Sequence, residues 1–199
     1  MAHARIVLVL ATLPLLFAAP ASAGKKAPKP LKHLQSLVEE SSGAGPLDKD
    51  AFKALRYADR CVVSDKQWER AQANQVPINQ LYEQLSSAVA CWQTAEKKMV
   101  KTGEPVAVAT LWVSARARYI ESYRGYLWGI DAKLSGNRNQ VCKRLREAAR
   151  QAAVANEASA GLSEKFTGPE ARALAAAAEQ LSGQLGEAIA TEFAHQKCE

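Results

Sequence analysis

Four cysteines are the residues of this chain best suited to covalent chemistry: Cys61, Cys91, Cys142 and Cys198. An even number of cysteines behind an export signal, described below, is typical of a disulfide framework, because exported proteins fold in an oxidising compartment. None of the four forms a Cys-x-x-Cys pair, the spacing that many zinc sites and redox motifs use. We therefore predict two disulfide bonds and no metal.

The positions of the cysteines favour one pairing. Residues that are equidistant from the turn of a helical hairpin face each other, and both Cys61/Cys91 and Cys142/Cys198 are centred on a proline-marked break in the chain. We therefore favour bonds Cys61–Cys91 and Cys142–Cys198. If Pro77 only kinks one continuous helix, the first bond cannot form, and four cysteines allow three connectivities in all.

Histidine, the usual general base at neutral pH, is scarce in this sequence. Beyond the first 23 residues only His33 and His195 remain, and neither lies in a His-Glu-x-x-His or Cys-x-x-Cys-His motif. Glycine-rich phosphate loops and the Gly-x-Ser-x-Gly nucleophile motif do not occur. We expect a protein without enzymatic activity and without a cofactor, although two carboxylates brought together by the fold would change that expectation.

One face of a long predicted helix carries aromatic side chains and an arginine at spacings of three and four: Trp112, Arg116, Tyr119, Tyr123 and Tyr126. Such a face can hold a sugar, a peptide or an aromatic ligand, because flat rings stack and guanidinium groups are attracted to ring faces. The same spacing is typical of a core stripe, with Tyr119 and Tyr126 buried and their hydroxyls at the rim. Both interpretations stay open, and these five residues form the first part of the candidate binding surface.

A basic ridge on the following helix is the second part of that surface. Arg138 and Arg144 are its principal members, with Lys143, Arg146 and Arg150 beside them. The ridge favours an anionic partner, although a charged helix face is also typical of plain solvation.

The first 23 residues have the three parts of a secretory signal peptide. Arg5 gives a positive start, Ile6 to Ala19 form the apolar run, and Ala21-Ser22-Ala23 fits the cleavage site. An apolar run of this length is too short to span a bilayer, so we expect cleavage near Ala23–Gly24 and no transmembrane anchor. The expected location is the periplasm or the extracellular space.

Residues 24–46 are expected to form a basic, proline-containing tail, a short amphipathic helix near Leu31–Glu40 and a linker. The tail lysines suit a weak contact with an anionic surface, and the helix is expected to dock on its own domain. From residue 33 onward the chain has 21 basic and 20 acidic residues. This balance argues against a nucleic-acid partner, which requires a clustered positive field.

Residues 47–199 read as one helical domain. Capping residues mark a helix from Asp48 toward Cys61, a further stretch after Ser64, and later helices over about 78–102, 105–134, from Asn137, and from a Thr167/Glu170 capping box. No alternating strand pattern is present. We predict an all-α, antiparallel (up-and-down) bundle of four long helices plus short N-terminal helices, joined by two disulfides.

These observations favour an exported, non-enzymatic binding module for a protein or a cell-envelope polymer. The alternative is a small-molecule carrier with an aromatic-lined cavity between helices, built from Trp92, Trp112, Tyr119 and Tyr126.

Overall fold

The computed structural model describes residues 31–42 and 46–198, and this part of the chain is all-helical with no strand. The predicted signal peptide and most of the basic tail lie outside the described residues. The helices are α1 (Gln35–Ser42), α2 (Lys49–Ala73), α3 (Ile78–Thr102), α4 (Ala107–Leu134), α5 (Arg138–Ser159) and α6 (Pro169–His195), with 3₁₀ turns at Glu104–Val106 and Ser163–Lys165. None of the helices in the described part is long and apolar enough to cross a membrane.

Helix α2 is one continuous helix of 25 residues, so the break predicted after Cys61 is wrong. Its buried stripe continues at helical spacing through Ala58, Cys61, Asp65 and Trp68, and this packing overrides the local capping pattern at Ser64. The predicted N-cap is confirmed, because the Asp48 carboxylate accepts the backbone N–H groups of residues 50 and 51. As a result the described chain has five helices of 22 residues or more, where the pattern predicted four.

The two disulfides are the pairs that the sequence favours. Cys61 is bonded to Cys91 with their Cα atoms 5.6 Å apart, and Cys142 is bonded to Cys198 with a Cα separation of 5.2 Å. Pro77 stands between α2 and α3 rather than inside a continuous helix, which is the condition on which the first bond depends. Closing loops of 30 and 56 residues stabilises the fold by about 4 kcal/mol each in the chain-entropy account.

Helix α1 docks on the rest of the molecule, as expected. Leu34 and Leu37 are fully buried in the same core cluster as the long helices. The helix begins at Gln35, later than predicted, because the backbone N–H groups of residues 32 to 34 donate to the carboxylate of Asp59 in α2 at 2.7 to 3.2 Å. The buried side chain of Asp59 in α2 therefore fixes the backbone that leads into α1.

The other end of α1 holds the start of α6. The Glu40 carboxylate accepts the backbone N–H groups of Thr167 and Gly168 at 2.7 and 2.8 Å. Although desolvation opposes ionisation, these bonds lower the pKa of Glu40. The predicted capping box of Thr167 with Glu170 does not form: the helix is capped by Gly168, and the Thr167 N–H and hydroxyl that the box would use donate to Glu40 instead.

Helices α4 and α5 approach each other closely at two glycines. A methyl group at Gly129 would lie 2.7 Å from Leu145 Cδ2 and 3.1 Å from its Cγ, and one at Gly125 would lie 3.5 Å from the Ala148 backbone. Leu145 and Ala148 are completely buried. The absence of side chains at these two positions is therefore what allows the two helix backbones to pack at short range.

We expect Gly129→Ala to destabilise the protein, because overpacking a buried contact costs about 1–3 kcal/mol. The matched control is Gly183→Ala in α6, where a methyl group would meet nothing within 4 Å. Removing that exposed helical glycine stabilises by about 0.5–1 kcal/mol. Urea unfolding of both oxidised variants measures the difference, and equal stabilisation by the two alanines would contradict the close α4–α5 contact.

Candidate functional site

The predicted aromatic face is mostly core, which corrects the first part of the predicted binding surface. Trp112, Tyr119 and Tyr123 are 4 to 5% exposed, the side chain of Arg116 is 11% exposed, and Tyr126 is half-buried. The reason is that α4 packs against α1, α3, α5 and α6, so its aromatic face is covered by neighbours. The core interpretation of the spacing holds for this helix.

The rings expected to line a carrier cavity contact one another instead. Trp92 and Trp112 pack edge to face with their ring centroids 5.5 Å apart, and Trp112 Nε1 donates to the backbone carbonyl of Leu174 in α6 at 3.2 Å. Tyr119 stacks on Tyr123 at 6.2 Å. These contacts occupy the region that the alternative function requires to be open.

At the centre of this region lies a buried ion pair between Asp65 of α2 and Arg116 of α4. Asp65 Oδ2 accepts from Arg116 Nε at 2.8 Å and from Nη2 at 2.7 Å, and Oδ1 accepts from Trp92 Nε1 of α3 at 2.9 Å. Trp68 Nε1 adds a longer contact at 3.4 Å. Because Asp65 is only 3% exposed, nearly all of its capacity as an acceptor is used within the protein.

The surroundings of Arg116 favour its charged form. Although burial disfavours a cation, the Asp65 carboxylate raises the pKa of Arg116. Glu69 lies 3.6 Å from Nη2 on the solvent side, with its side chain 39% exposed. Burial raises the pKa of Glu69 despite the nearby guanidinium, and burial likewise raises the pKa of Tyr119. The cluster therefore ties α2, α3 and α4 together and presents only Glu69 toward solvent.

The described residues do not come together as a set of metal ligands. In residues 31–42 and 46–198, no group of three or more His, Cys, Asp or Glu side chains could hold an ion. One Glu-x-x-His spacing occurs, from Glu192 to His195 near the end of α6, and a di-iron centre needs two such copies. The Glu192 carboxylate instead pairs with Lys133 at 2.7 Å.

The predicted basic ridge is divided between several roles on α5. Arg138 is exposed, and Arg150 pairs with Glu147 at 2.7 Å. Arg144 lies flat against an aromatic ring that sequence reasoning missed, with its Cζ atom 3.5 Å from the centroid of Trp128. The structure thus brings Arg144 to an aromatic partner but does not bring it to Trp112 or Arg116.

A groove between α2 and α3 is a second feature that could not be read from the sequence. This basic groove has a volume of about 530 Å³, and its charged and aromatic lining consists of Asp50, Lys53, Arg56, Tyr57, Arg60, Lys98 and Lys101. Five cations therefore face a single carboxylate, which already pairs with Lys53 at 3.2 Å. The spacing of residues 53, 56, 57 and 60 places them on one side of α2 and could have indicated a basic face. The two lysines of α3 join them only in the folded structure.

No protein-family model, curated protein or solved structure matches this chain.

The buried pair should couple strongly in a double-mutant cycle. Asp65→Asn leaves Arg116 buried without its counter-charge, which we expect to cost about 3 kcal/mol or more, and adding Arg116→Met should recover much of that loss. The measurement is urea unfolding of the two single variants and the double variant.

The exposed pair Asp50–Lys53 is the matched control, since its side chains are 80% and 63% exposed, respectively, and surface pairs contribute little. A coupling no larger for Asp65/Arg116 than for Asp50/Lys53 would contradict a structural role for the buried pair.

Proposed function

We propose that this protein is an exported, non-enzymatic binding module that holds an anionic polymer of the cell envelope in its basic groove. Two disulfides support an oxidising location outside the cytoplasm, as does the signal-peptide pattern of residues 1–23. The single observation that carries the binding proposal is the groove itself, in which five cations converge with one carboxylate.

An up-and-down arrangement of the long helices underlies this proposal. It is supported by contacts that step in opposite directions along α3 and α4: Arg118 pairs with Glu96 at 3.2 Å, while Gln93, three residues earlier, bonds to Glu121, three residues later, at 3.5 Å. Cys61 and Cys91 are likewise matched about the connection between α2 and α3. In such an arrangement neighbouring helices present parallel walls of a groove along their whole length.

Three cations of the groove are exposed at the surface, where a ligand can reach them. Lys98 and Lys101 are exposed on α3, Arg60 is exposed on α2, and Lys98 additionally lies 5.2 Å from the ring centroid of Tyr57. Between Lys53 and Arg60 α2 rises by about 10 Å, at 1.5 Å per residue. A positive field between low-dielectric walls concentrates anions, and several separated cations contact a chain of anionic groups better than a single small anion.

An extended anionic polymer therefore fits better than a compact ligand. Lysine presents a mobile point charge rather than a fixed fork, which tolerates different spacings of phosphate or carboxylate along a polymer. The tail lysines Lys25, Lys26 and Lys29 would add to the same attraction. An anionic surface segment of a protein could use the same cations, and the experiment below separates the two.

We expect fluorescently labelled dextran sulfate to bind the oxidised protein beginning at Gly24, with an affinity that falls as salt is raised. The double variant Lys98→Glu/Lys101→Glu should weaken this binding by about tenfold or more, which corresponds to about 1.4 kcal/mol. Fluorescence anisotropy provides the measurement, and neutral dextran, which should not bind, controls for the sugar backbone.

The control variant is Lys165→Glu/Lys197→Glu, which changes the net charge equally at exposed positions that lie outside α2 and α3, the helices that line the groove. It should retain binding within about twofold, since a distant surface charge acts weakly at moderate salt. Equal losses in the two double variants would show that binding follows net charge, and would overturn the groove as the site. Binding of poly-glutamate much more tightly than dextran sulfate would favour a protein partner instead.

A further inference from the structure

Trp128 stands apart from the other tryptophans of the chain. Trp68, Trp92 and Trp112 are buried, whereas Trp128 on α4 is 46% exposed. Its ring is flanked by Tyr82 of α3, at a centroid distance of 5.7 Å, and lies under the guanidinium of Arg144. A large ring held in place by its neighbours but left open to solvent is a feature of binding surfaces, because exposing it without an occupant is unfavourable.

A cleft of about 270 Å³ opens beside Trp128 between α4 and α5. The backbone of α4 is approachable here because Gly125, which also lines the cleft, has no side chain. Well-formed sites for drug-sized ligands are usually larger, beginning near 300 Å³. The volume is therefore suited to a ligand of about the size of one sugar ring.

The cleft carries uncompensated positive charge. Arg124, Lys143 and Arg144 line it, and none of the three forms an ion pair with any residue in the described part of the chain. Two carboxylates also line it, but Glu121 pairs with Arg118 at 3.7 Å and Glu147 pairs with Arg150 at 2.7 Å. An anionic ligand would supply the charge that these three cations lack.

Unpaired polar atoms add a second, independent observation. Nε and Nη1 of Arg144 are buried without an acceptor, and Oε1 of Gln151 is buried without a donor. Buried hydrogen-bonding groups are rarely left without partners, because each one costs about 1–3 kcal/mol. A carboxylate satisfies a guanidinium best, and a hydroxyl can donate to an amide oxygen. Arg144 is only partly buried as a residue, so a small movement of its side chain would bring its nitrogens to a ligand.

We propose that this aromatic-cationic cleft binds an acidic sugar unit, a hexose-sized ring that carries one carboxylate. The ring would pack on the exposed part of Trp128, the carboxylate would pair with Arg144 and Lys143, and hydroxyls would bond to polar groups such as Gln151. This site lies on α4 and α5 and shares no lining residue with the basic groove on α2 and α3. It therefore stands whether or not the proposed function is correct.

The test uses sodium glucuronate as the probe and the oxidised protein beginning at Gly24. Indole N–H signals are followed in ¹H–¹⁵N spectra, with the signal of Trp128 assigned by its loss in Trp128→Phe. Glucuronate should shift the Trp128 signal until the site is saturated, and the signals of the three buried tryptophans should stay nearly unchanged. Saturation is expected at millimolar concentration, because a single ring with one charge makes few contacts. Neutral glucose should bind at least about tenfold more weakly, since it lacks the charge-assisted bond.

Arg144→Gln should weaken glucuronate binding by about tenfold or more, whereas Arg138→Gln, exposed on the same helix outside the cleft lining, should bind as the unmodified protein does. If Arg144→Gln proves to be unfolded by circular dichroism, Lys143→Gln, at an exposed position, replaces it with the same expected direction. Three results would each overturn the proposal. They are equal binding of glucose and glucuronate, an equal shift of the Trp128 signal by sodium sulfate at matched ionic strength, and tighter binding of benzoate than of glucuronate. Titration of Lys98→Glu/Lys101→Glu should leave glucuronate binding intact, which separates this site from the basic groove.

Discussion

The packing of α2, α3 and α4 depends on the buried carboxylate of Asp65. Removing this anion from water is costly, and the structure offsets that cost with two hydrogen bonds from Arg116 and one from Trp92, all shorter than 3 Å. The Cys61–Cys91 disulfide lies one helical turn away on α2 and next to Trp92 on α3. The disulfide and the Trp92–Asp65 hydrogen bond thus fix the register of α2 and α3 at nearly the same level, and the ion pair joins α4 to them.

This internal neutralisation determines which charges remain for function. The charge of Arg116 is neutralised by Asp65 inside the bundle, so the binding proposals rest on cations that stay at the surface. Those cations occur in two separate places: the basic groove between α2 and α3, and the aromatic-cationic cleft between α4 and α5. A rigid scaffold favours both, because side chains on packed helices lose less freedom on binding than those on mobile loops.

Local chemistry made part of this structure predictable from sequence. The caps at Asp48 and Asn137 and the cysteine pairs follow from short-range rules and from symmetry about a break, and they appear as expected. Long-range partners were out of reach: Arg116 faces inward because of a carboxylate 51 residues earlier, and Thr167 is held by Glu40 across 127 residues. Helical spacing gives the same pattern for a displayed aromatic face and a buried one, so only packing distinguishes them. The basic groove could not be predicted either, because its lining residues come from two helices that only packing brings together.

The most direct test of this account is the hydrogen exchange of arginine side chains in the oxidised protein, followed in ¹H–¹⁵N spectra at pH 8. The account predicts that the Nε–H signal of Arg116, assigned by its absence in Arg116→Met, remains sharp and slow to exchange, because the hydrogen is bonded to Asp65 away from water. The signal of exposed Arg138 should broaden or vanish under the same conditions. Exchange at Arg116 as rapid as that at Arg138 would contradict the buried ion pair and the helix packing that depends on it.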